Sequence, residues 1–391
     1  MISFEEAYKI VIDSAIQTSS ELIPFTESAG RILAQDVYSD MDMPPFNRSA
    51  VDGYACRRAD LGRDLEMMEI IAAGREPVKE VGEGQCSKIM TGAIVPENCD
   101  MVFMVEDSEI LSSGKIRFTG TSMKPNISLQ GEDVKRGELV LNKGKKILPQ
   151  DIAVFASFGI VRVLVSKKPE VAVVSTGDEI IEPENTPSRS QIRNSNAYQL
   201  LAQVKAAGGT GRYYGIVPDT GDSAFGIINK AISENDIVVL TGGVSMGDFD
   251  FIPSFLARAG VRIMFNRVNV QPGKPTTFGV HPKSLVFGLP GNPVSAFIQF
   301  ETLIKPVIRK MTAENEKEYS FELPLGLRYE RKSASRMGWI PVRLSDQNEV
   351  IPVEYHGSAH ITSLSYSDGI ISIMPEVTSI EKGTIVRYRP F

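Results

Sequence analysis

Asp236-Ile237-Val238-Val239-Leu240-Thr241-Gly242-Gly243-Val244-Ser245-Met246-Gly247-Asp248-Phe249-Asp250 decides the fold. A short run that is apolar and β-branched at nearly every position suits a strand buried on both faces, as in a parallel sheet. Glycines just past its end let the backbone approach a ligand, and a following helix offers unpaired N–H groups to an anion. Asp248 and Asp250 would repel a phosphate directly. Carboxylates at such a junction therefore imply a bridging cation such as Mg2+. Each alone reads equally well as a helix N-cap.

A second junction of the same kind lies downstream, at Leu285-Val286-Phe287-Gly288-Leu289-Pro290-Gly291-Asn292-Pro293-Val294-Ser295. Between the two runs a proline-gated, charged loop, Gln271-Pro272-Gly273-Lys274-Pro275-Thr276-Thr277. Upstream, Val171-Ala172-Val173-Val174 ends in Ser175-Thr176-Gly177-Asp178-Glu179, and Tyr213 to Val217 ends in Pro218-Asp219. Helices are expected over Ala197 to Ala207, stopped by Gly208-Gly209, and over Phe225 to Ser233. Alternating strand and helix predicts a doubly wound, mostly parallel sheet, with ligands at the carboxyl ends of its strands. That edge would gather Asp178, Glu179, Asp219, Asp248 and Asp250 into a candidate site.

Standard motifs do not fit. Gly242 to Gly247 has P-loop spacing, but Asp248 stands where Lys must be. No Gly-x-Gly-x-x-Gly follows a strand and no Gly-x-Ser-x-Gly elbow occurs. Ser245 and Ser295 have no well-placed histidine, because His281, His356 and His360 lie in weakly patterned segments.

Outside this block the pattern changes. Ser3 to about Ser19 reads as an amphipathic helix with a Ser3/Glu6 capping box. Leu22 to Val37 reads as irregular. Met41 to Ala55 carries two prolines and an Asp-Gly turn, and its polar cluster between Phe46 and Tyr54 is a turn or a site, the turn being favoured. Met67 to Val105 reads as a β module punctuated by glycines. Gly131-Glu132-Asp133 is an acidic turn, and Ile147 to Gly159 a helix. After Met311 alternation returns, predicting a small β-barrel or sandwich. Within it Gly357 to Leu364 is a polar loop, equally an ordinary turn with a short helix.

Composition sets bounds. A chain of 391 residues is long enough for two to four domains. Hydrophobic content of 42% with 23% charged residues is globular. A formal net charge of −6 argues against nonspecific nucleic-acid binding. No apolar run approaches the ~20 residues that span a bilayer. An acidic N-terminus unlike a signal peptide, and three cysteines without metal-like spacing, predict a cytoplasmic protein in a reducing compartment.

Seven segments occur in an order that resembles one family: Ser49 to Ala55, Met90 to Ala93, Gly131 to Asp133, Ser175 to Glu179, Thr241 to Gly247, Pro272 to Pro275, and Gly288 to Ser295. They are similar to the molybdopterin molybdenumtransferases, the MoeA proteins and the gephyrin E-domain, over nearly the whole chain. The resemblance implies insertion of molybdate into adenylylated molybdopterin with Mg2+, releasing AMP and molybdenum cofactor. It implies a homodimer and four parts: an α/β molybdopterin-binding domain (1–21 and 169–312), an extended linker subdomain (22–45 and 135–168), an inserted β-rich subdomain at the dimer site (46–134), and a C-terminal β-barrel (313–391). A molybdopterin adenylyltransferase is a further expected partner.

By the same resemblance Asp52, Thr91 and Asp133 reach the site from the other protomer. Glu179, Asp219 and Asp250 line it from the sheet as the metal-binding set. Lys274, Ser295, Arg336 and Ser363 are expected to bind the molybdate oxyanion. Thr176, Gly177, Asp178, Gly242, Gly243, Ser245, Gly247, Asp248, Pro275, Pro290, Gly291 and Asn292 complete the cofactor-binding rim.

Two positions depart from the family pattern. Gln271 stands where lysine is common, and Ser128 where arginine is common. Each removes a cation from an anion site, which typically weakens binding by ~1.5–3 kcal/mol. Two alternatives stand beside the transferase: a molybdopterin adenylyltransferase, and a non-catalytic gephyrin-like scaffold.

Overall fold

The computed structural model describes residues 1–121, 123–218, 222–243, 252–315 and 319–391. They form two compact units. One comprises Met1–Ala34, Gly144–Pro149 and Arg162–Phe391, the other Gln35–Lys143 and Gln150–Val161.

In the larger unit Ile237–Thr241 lies near the centre of a six-stranded sheet, and every residue of it is buried. Glu170–Thr176 and Leu285–Leu289 flank it in parallel, and Thr210–Val217 adds in parallel beyond Glu170–Thr176. Side chains alternate between two cores because successive strand residues point to opposite faces. Val171, Val173, Val239 and Phe287 pack with Ala7, Val11, Leu200 and Val294. Val174, Leu240 and Val286 pack with Ile228, Ile232 and Leu256 on the other face.

The sheet is not wholly parallel. Thr277–Val280 pairs antiparallel to Leu285–Leu289, and Arg262–Phe265 pairs antiparallel outside it. Only His281 to Ser284 separates the first pair of strands, far too little chain for a parallel crossover.

The N-terminal helix runs over Phe4–Ser14 and stops short of the expected Ser19. The Ser3 hydroxyl accepts from the Glu6 N–H at 3.1 Å, as the capping pattern predicts. The segment expected to be irregular contains a strand, Ser20–Pro24, paired with Arg162–Ser166 in a two-stranded ladder. Pro24 is tolerated because it sits at the end of an edge strand.

The C-terminal β region of this unit is built on Met337–Leu344, flanked by Gly369–Ile373 and Val350–Pro352. Val270–Gln271 joins it in parallel with Met337–Gly338. The smaller unit holds another six-stranded sheet, with Gly53–Cys56 between Met101–Met104 and Gln85–Ile89. The helix Pro149–Ser157, in this unit from Gln150 on, is followed by Gly159 at φ 64°, the left-handed stop expected of a glycine there. Among the described residues no helix is long and apolar enough to cross a membrane.

Candidate functional site

Three strands of the larger unit, Glu170–Thr176, Ile237–Thr241 and Leu285–Leu289, end at a cavity of about 780 Å3. Thr176, Gly177, Glu179, Gly242, Gly243, Pro275, Pro290, Gly291 and Asn292 all line it. The sheet edge inferred from the apolar runs is therefore one concave surface.

Glycine is needed where these loops meet. Gly242 has φ 95°, and a Cβ on it would collide with the carbonyl oxygen of Thr176. Its N–H donates to the Leu289 carbonyl at 3.1 Å, and Gly291 packs beside its Cα. Three loops thus touch through backbone, leaving the rim walled by main chain. At Gly177 a Cβ would lie 2.6 Å from a carboxylate oxygen of Glu179. The glycine makes room for that carboxylate to fold back over the strand end.

The second wall is the segment from Ile180 to Asn196. Ile180–Ile181 pairs in parallel with Ile192–Arg193. Asn196 donates from its side-chain amide to the Thr241 hydroxyl and to the Gly291 carbonyl, both at 2.8 Å. One buried side chain therefore joins two of the glycine junctions, and its Oδ1 has no partner among the described residues. Asn194 accepts from Ser175 at 3.0 Å and donates to the Tyr213 hydroxyl at 2.8 Å. Tyr213 in turn donates to Glu182 at 2.7 Å, and Tyr198 donates to the other oxygen of the same carboxylate at 2.9 Å. Burial, then the bond to Glu182, pushes the Tyr213 hydroxyl pKa up.

Lys274 sits on a pinned turn beside the cavity-lining Pro275. Its carbonyl accepts from the N–H groups of Val268 and Thr276, both at 3.0 Å. The Thr276 hydroxyl donates to the Gly273 carbonyl at 2.6 Å, and the Gln299 amide to the Pro272 carbonyl at 3.2 Å. The lysine side chain is exposed. Arg336 donates to the Val270 carbonyl at 3.1 Å, which places it at the root of this turn rather than on the cavity wall. Ser295 is buried in the helix Pro293–Gln299. Ser363 is also buried, and its hydroxyl donates to the His360 carbonyl at 2.7 Å. The loop before it does reach the site: Ala359 and Ile361 line the cavity, and Ser358 accepts from the Asn292 amide at 2.8 Å. Gln271 is half-buried and its Oε1 has no partner among the described residues.

Asp52, Thr91 and Asp133 belong to the smaller unit. There Thr91 donates to a single oxygen of Asp52, from its N–H at 2.7 Å and its hydroxyl at 2.9 Å. The exposed Asp133 lies on a turn whose N–H donates to the Met43 carbonyl at 3.0 Å. Asp178 is exposed at the sheet edge and is not among the cavity-lining residues. Asp219, Ser245, Gly247, Asp248 and Asp250 lie outside the described residues.

Sequence reasoning missed Arg193, Asn194 and Asn196. The only local sign was a pair of asparagines just before a helix, a pattern that ordinary capping also produces.

A metal set of Glu179, Asp219 and Asp250 is one-third described. Glu179 presents an exposed carboxylate at the cavity, with no hydrogen-bond partner among the described residues, and carboxylate oxygen suits a hard cation such as Mg2+. Among the described residues no three potential ligands cluster.

Comparison with known proteins covers the whole chain. Residues 2–159 match the MoeA N-terminal region (domains I and II). Residues 172–310 match the probable molybdopterin binding domain, and 325–391 the MoeA C-terminal region (domain IV). A molybdopterin molybdenumtransferase of Staphylococcus epidermidis is 37% identical over 318 residues, covering 79% of this chain and 76% of that protein. The Bacillus subtilis protein of the same name is 36% identical, covering 79% of this chain and 74% of its own. A crystal structure of the MoeA protein from Pyrococcus horikoshii OT3 superposes over all of both chains with a TM-score of 0.86 at 29% identity. Fold and cavity thus define a multidomain α/β enzyme with a molybdopterin-binding domain. The chain belongs to the molybdopterin molybdenumtransferase (MoeA) family.

Proposed function

We propose that this protein inserts molybdate into adenylylated molybdopterin, with Mg2+, and releases AMP and molybdenum cofactor. One observation carries the proposal: a main-chain-walled cavity at the carboxyl edge of the sheet, with the Glu179 carboxylate inside it. Backbone so closely packed keeps side chains out of the rim and lets a diphosphate approach it closely. Glu179, with Asp219 and Asp250, is the set that would hold Mg2+. When bound, that ion neutralises charge on the diphosphate without any protein nucleophile. Lys274 is assigned to the molybdate, a dianion that needs a compensating cation; Ser295, Arg336 and Ser363, which lie off the cavity wall, are assigned to it through the family resemblance alone.

The active form is a homodimer in this proposal. Asp52, Thr91 and Asp133 of the partner subunit complete each site, Thr91 keeping the Asp52 carboxylate ionised and oriented. The four-part division at 1–21 with 169–312, 22–45 with 135–168, 46–134 and 313–391 is retained with it. So are a cytoplasmic location and a molybdopterin adenylyltransferase as the supplier of substrate.

The test is direct. Pure protein is incubated with adenylylated molybdopterin, molybdate and Mg2+, and AMP is measured. Molybdate-dependent AMP release is expected, lost with EDTA and regained with Mg2+. No AMP release rejects the transferase, and formation of adenylylated pterin from ATP assigns the adenylyltransferase instead.

A further inference from the structure

The cation assigned to the oxyanion, Lys274, is not among the residues that line the cavity. The cavity wall supplies another. Among the described residues that line it, Arg193 is the one cationic side chain. It stands on the two-residue strand Ile192–Arg193, whose partner strand Ile180–Ile181 directly follows Glu179. Its Nε donates to the Asn185 carbonyl at 3.1 Å. That bond anchors one edge of the guanidinium. The two Nη groups have no protein partner among the described residues, and the residue is exposed at the cavity.

A guanidinium held by one edge presents its remaining N–H groups as a planar fork, which matches two oxygens of a tetrahedral oxyanion. Glycines 177, 242 and 291 share the cavity wall, so a bound anion would meet backbone as well as this cation. The bond that the Arg193 guanidinium makes is to a backbone carbonyl and not to the Glu179 carboxylate.

The geometry points to Arg193 as an oxyanion-binding residue of this cavity, taking a phosphate of the adenylylated pterin or the molybdate itself. The inference deepens the transferase proposal and relies on it only for the identity of the ligand. It is tested with two probes, AMP and inorganic molybdate, titrated calorimetrically against the wild-type protein and against Arg193→Gln and Arg193→Lys. Loss of a charge-assisted contact is expected to weaken one probe by about tenfold or more in Arg193→Gln. Arg193→Lys, which keeps charge but not the fork, should fall between. Weakened AMP binding assigns Arg193 to the phosphate, and weakened molybdate binding assigns it to the metal oxyanion. Equal affinities of wild type and Arg193→Gln for both probes overturn the assignment. Should the wild-type protein release no AMP in the turnover assay, the transferase proposal falls by itself. An anion affinity lost in Arg193→Gln would still uphold the binding role. Thermal melting of each variant, expected to match wild type at this exposed position, guards against misfolding.

Discussion

Thr91 holds one carboxylate oxygen of Asp52 with two donors, its own N–H and its hydroxyl. Both favour the ionised form, the backbone bond most, and they hold the Asp52 carboxyl below the usual carboxylate range. The folded pKa is depressed. These bonds therefore stabilise the fold fully above the ordinary carboxylate pKa, and that contribution fades as pH falls through the lowered value. Thr91→Val keeps the N–H and removes the hydroxyl. The Asp52 pKa should then rise towards its ordinary value in a carboxyl NMR titration, and an unmoved titration would count against the hydroxyl's role.

If Asp52 and Glu179 serve one site from different subunits, two dead variants should repair each other. Asp52→Asn and Glu179→Gln are each expected to be inactive as homodimers. Unfolding and refolding them together produces mixed dimers in which one site has both wild-type residues. Random pairing predicts recovery of about a quarter of wild-type AMP release. No recovery, with mixed dimers demonstrated, would place both residues in the site from one chain.

Glu179→Gln preserves shape and removes only the charge. Outer-shell changes at metal sites cost roughly 10–100-fold, so if Glu179 is the direct ligand proposed above, its replacement should lower turnover by more than about 100-fold. Because the carboxylate is exposed, the melting temperature should hold. Wild-type turnover in this variant would remove the sheet-edge carboxylate from the mechanism.

Asn196→Leu should loosen the join between Thr241 and Gly291. Two hydrogen bonds are lost and a carbonyl is left wanting a donor, a cost of about 1–3 kcal/mol. Urea unfolding reads it as a lower midpoint with an unchanged slope. AMP affinity should fall as well, since the two junctions would no longer be held together; a stability loss with unaltered AMP binding would make Asn196 a fold residue only.

Gly242→Ala combines a left-handed backbone with a collision against the Thr176 carbonyl. Strain of that kind costs of order 1–3 kcal/mol before the collision is counted, so this should be among the most damaging small substitutions at the rim. Denaturant unfolding checks it, and near-wild-type stability would show that the junctions are not tightly packed.

Much of this was readable from local sequence. Runs such as Val171–Val174 and Ile237–Leu240, short, β-branched and apolar at every position, suit strands covered on both faces, and the glycines that follow them mark where the chain turns at the edge. The cavity at Thr176, Gly242 and Gly291 follows from those two signals. Arg193 and Asn196 were not readable, because a two-residue strand has no periodicity and a helix-start asparagine looks like a cap. The approach of Ala359 and Ile361 was hidden for a different reason: it depends on Ser358 meeting Asn292, a contact between segments far apart in the chain. The antiparallel strands Arg262–Phe265 and Thr277–Val280 were missed because short apolar runs with polar interruptions resemble loops.

The turn bearing Lys274 is strung between two sheets. Val270–Gln271 is hydrogen-bonded into the C-terminal sheet, and Thr277–Val280 belongs to the α/β sheet. Arg336 fastens the near end by its bond to Val270. The C-terminal module therefore acts as a frame that keeps this lysine taut. Damage to the packing of Met337 or Gly338, which touch no ligand, should register as slackness at Lys274, and a chain cut back to its α/β core would keep the cavity floor while losing the tension on its charged lip.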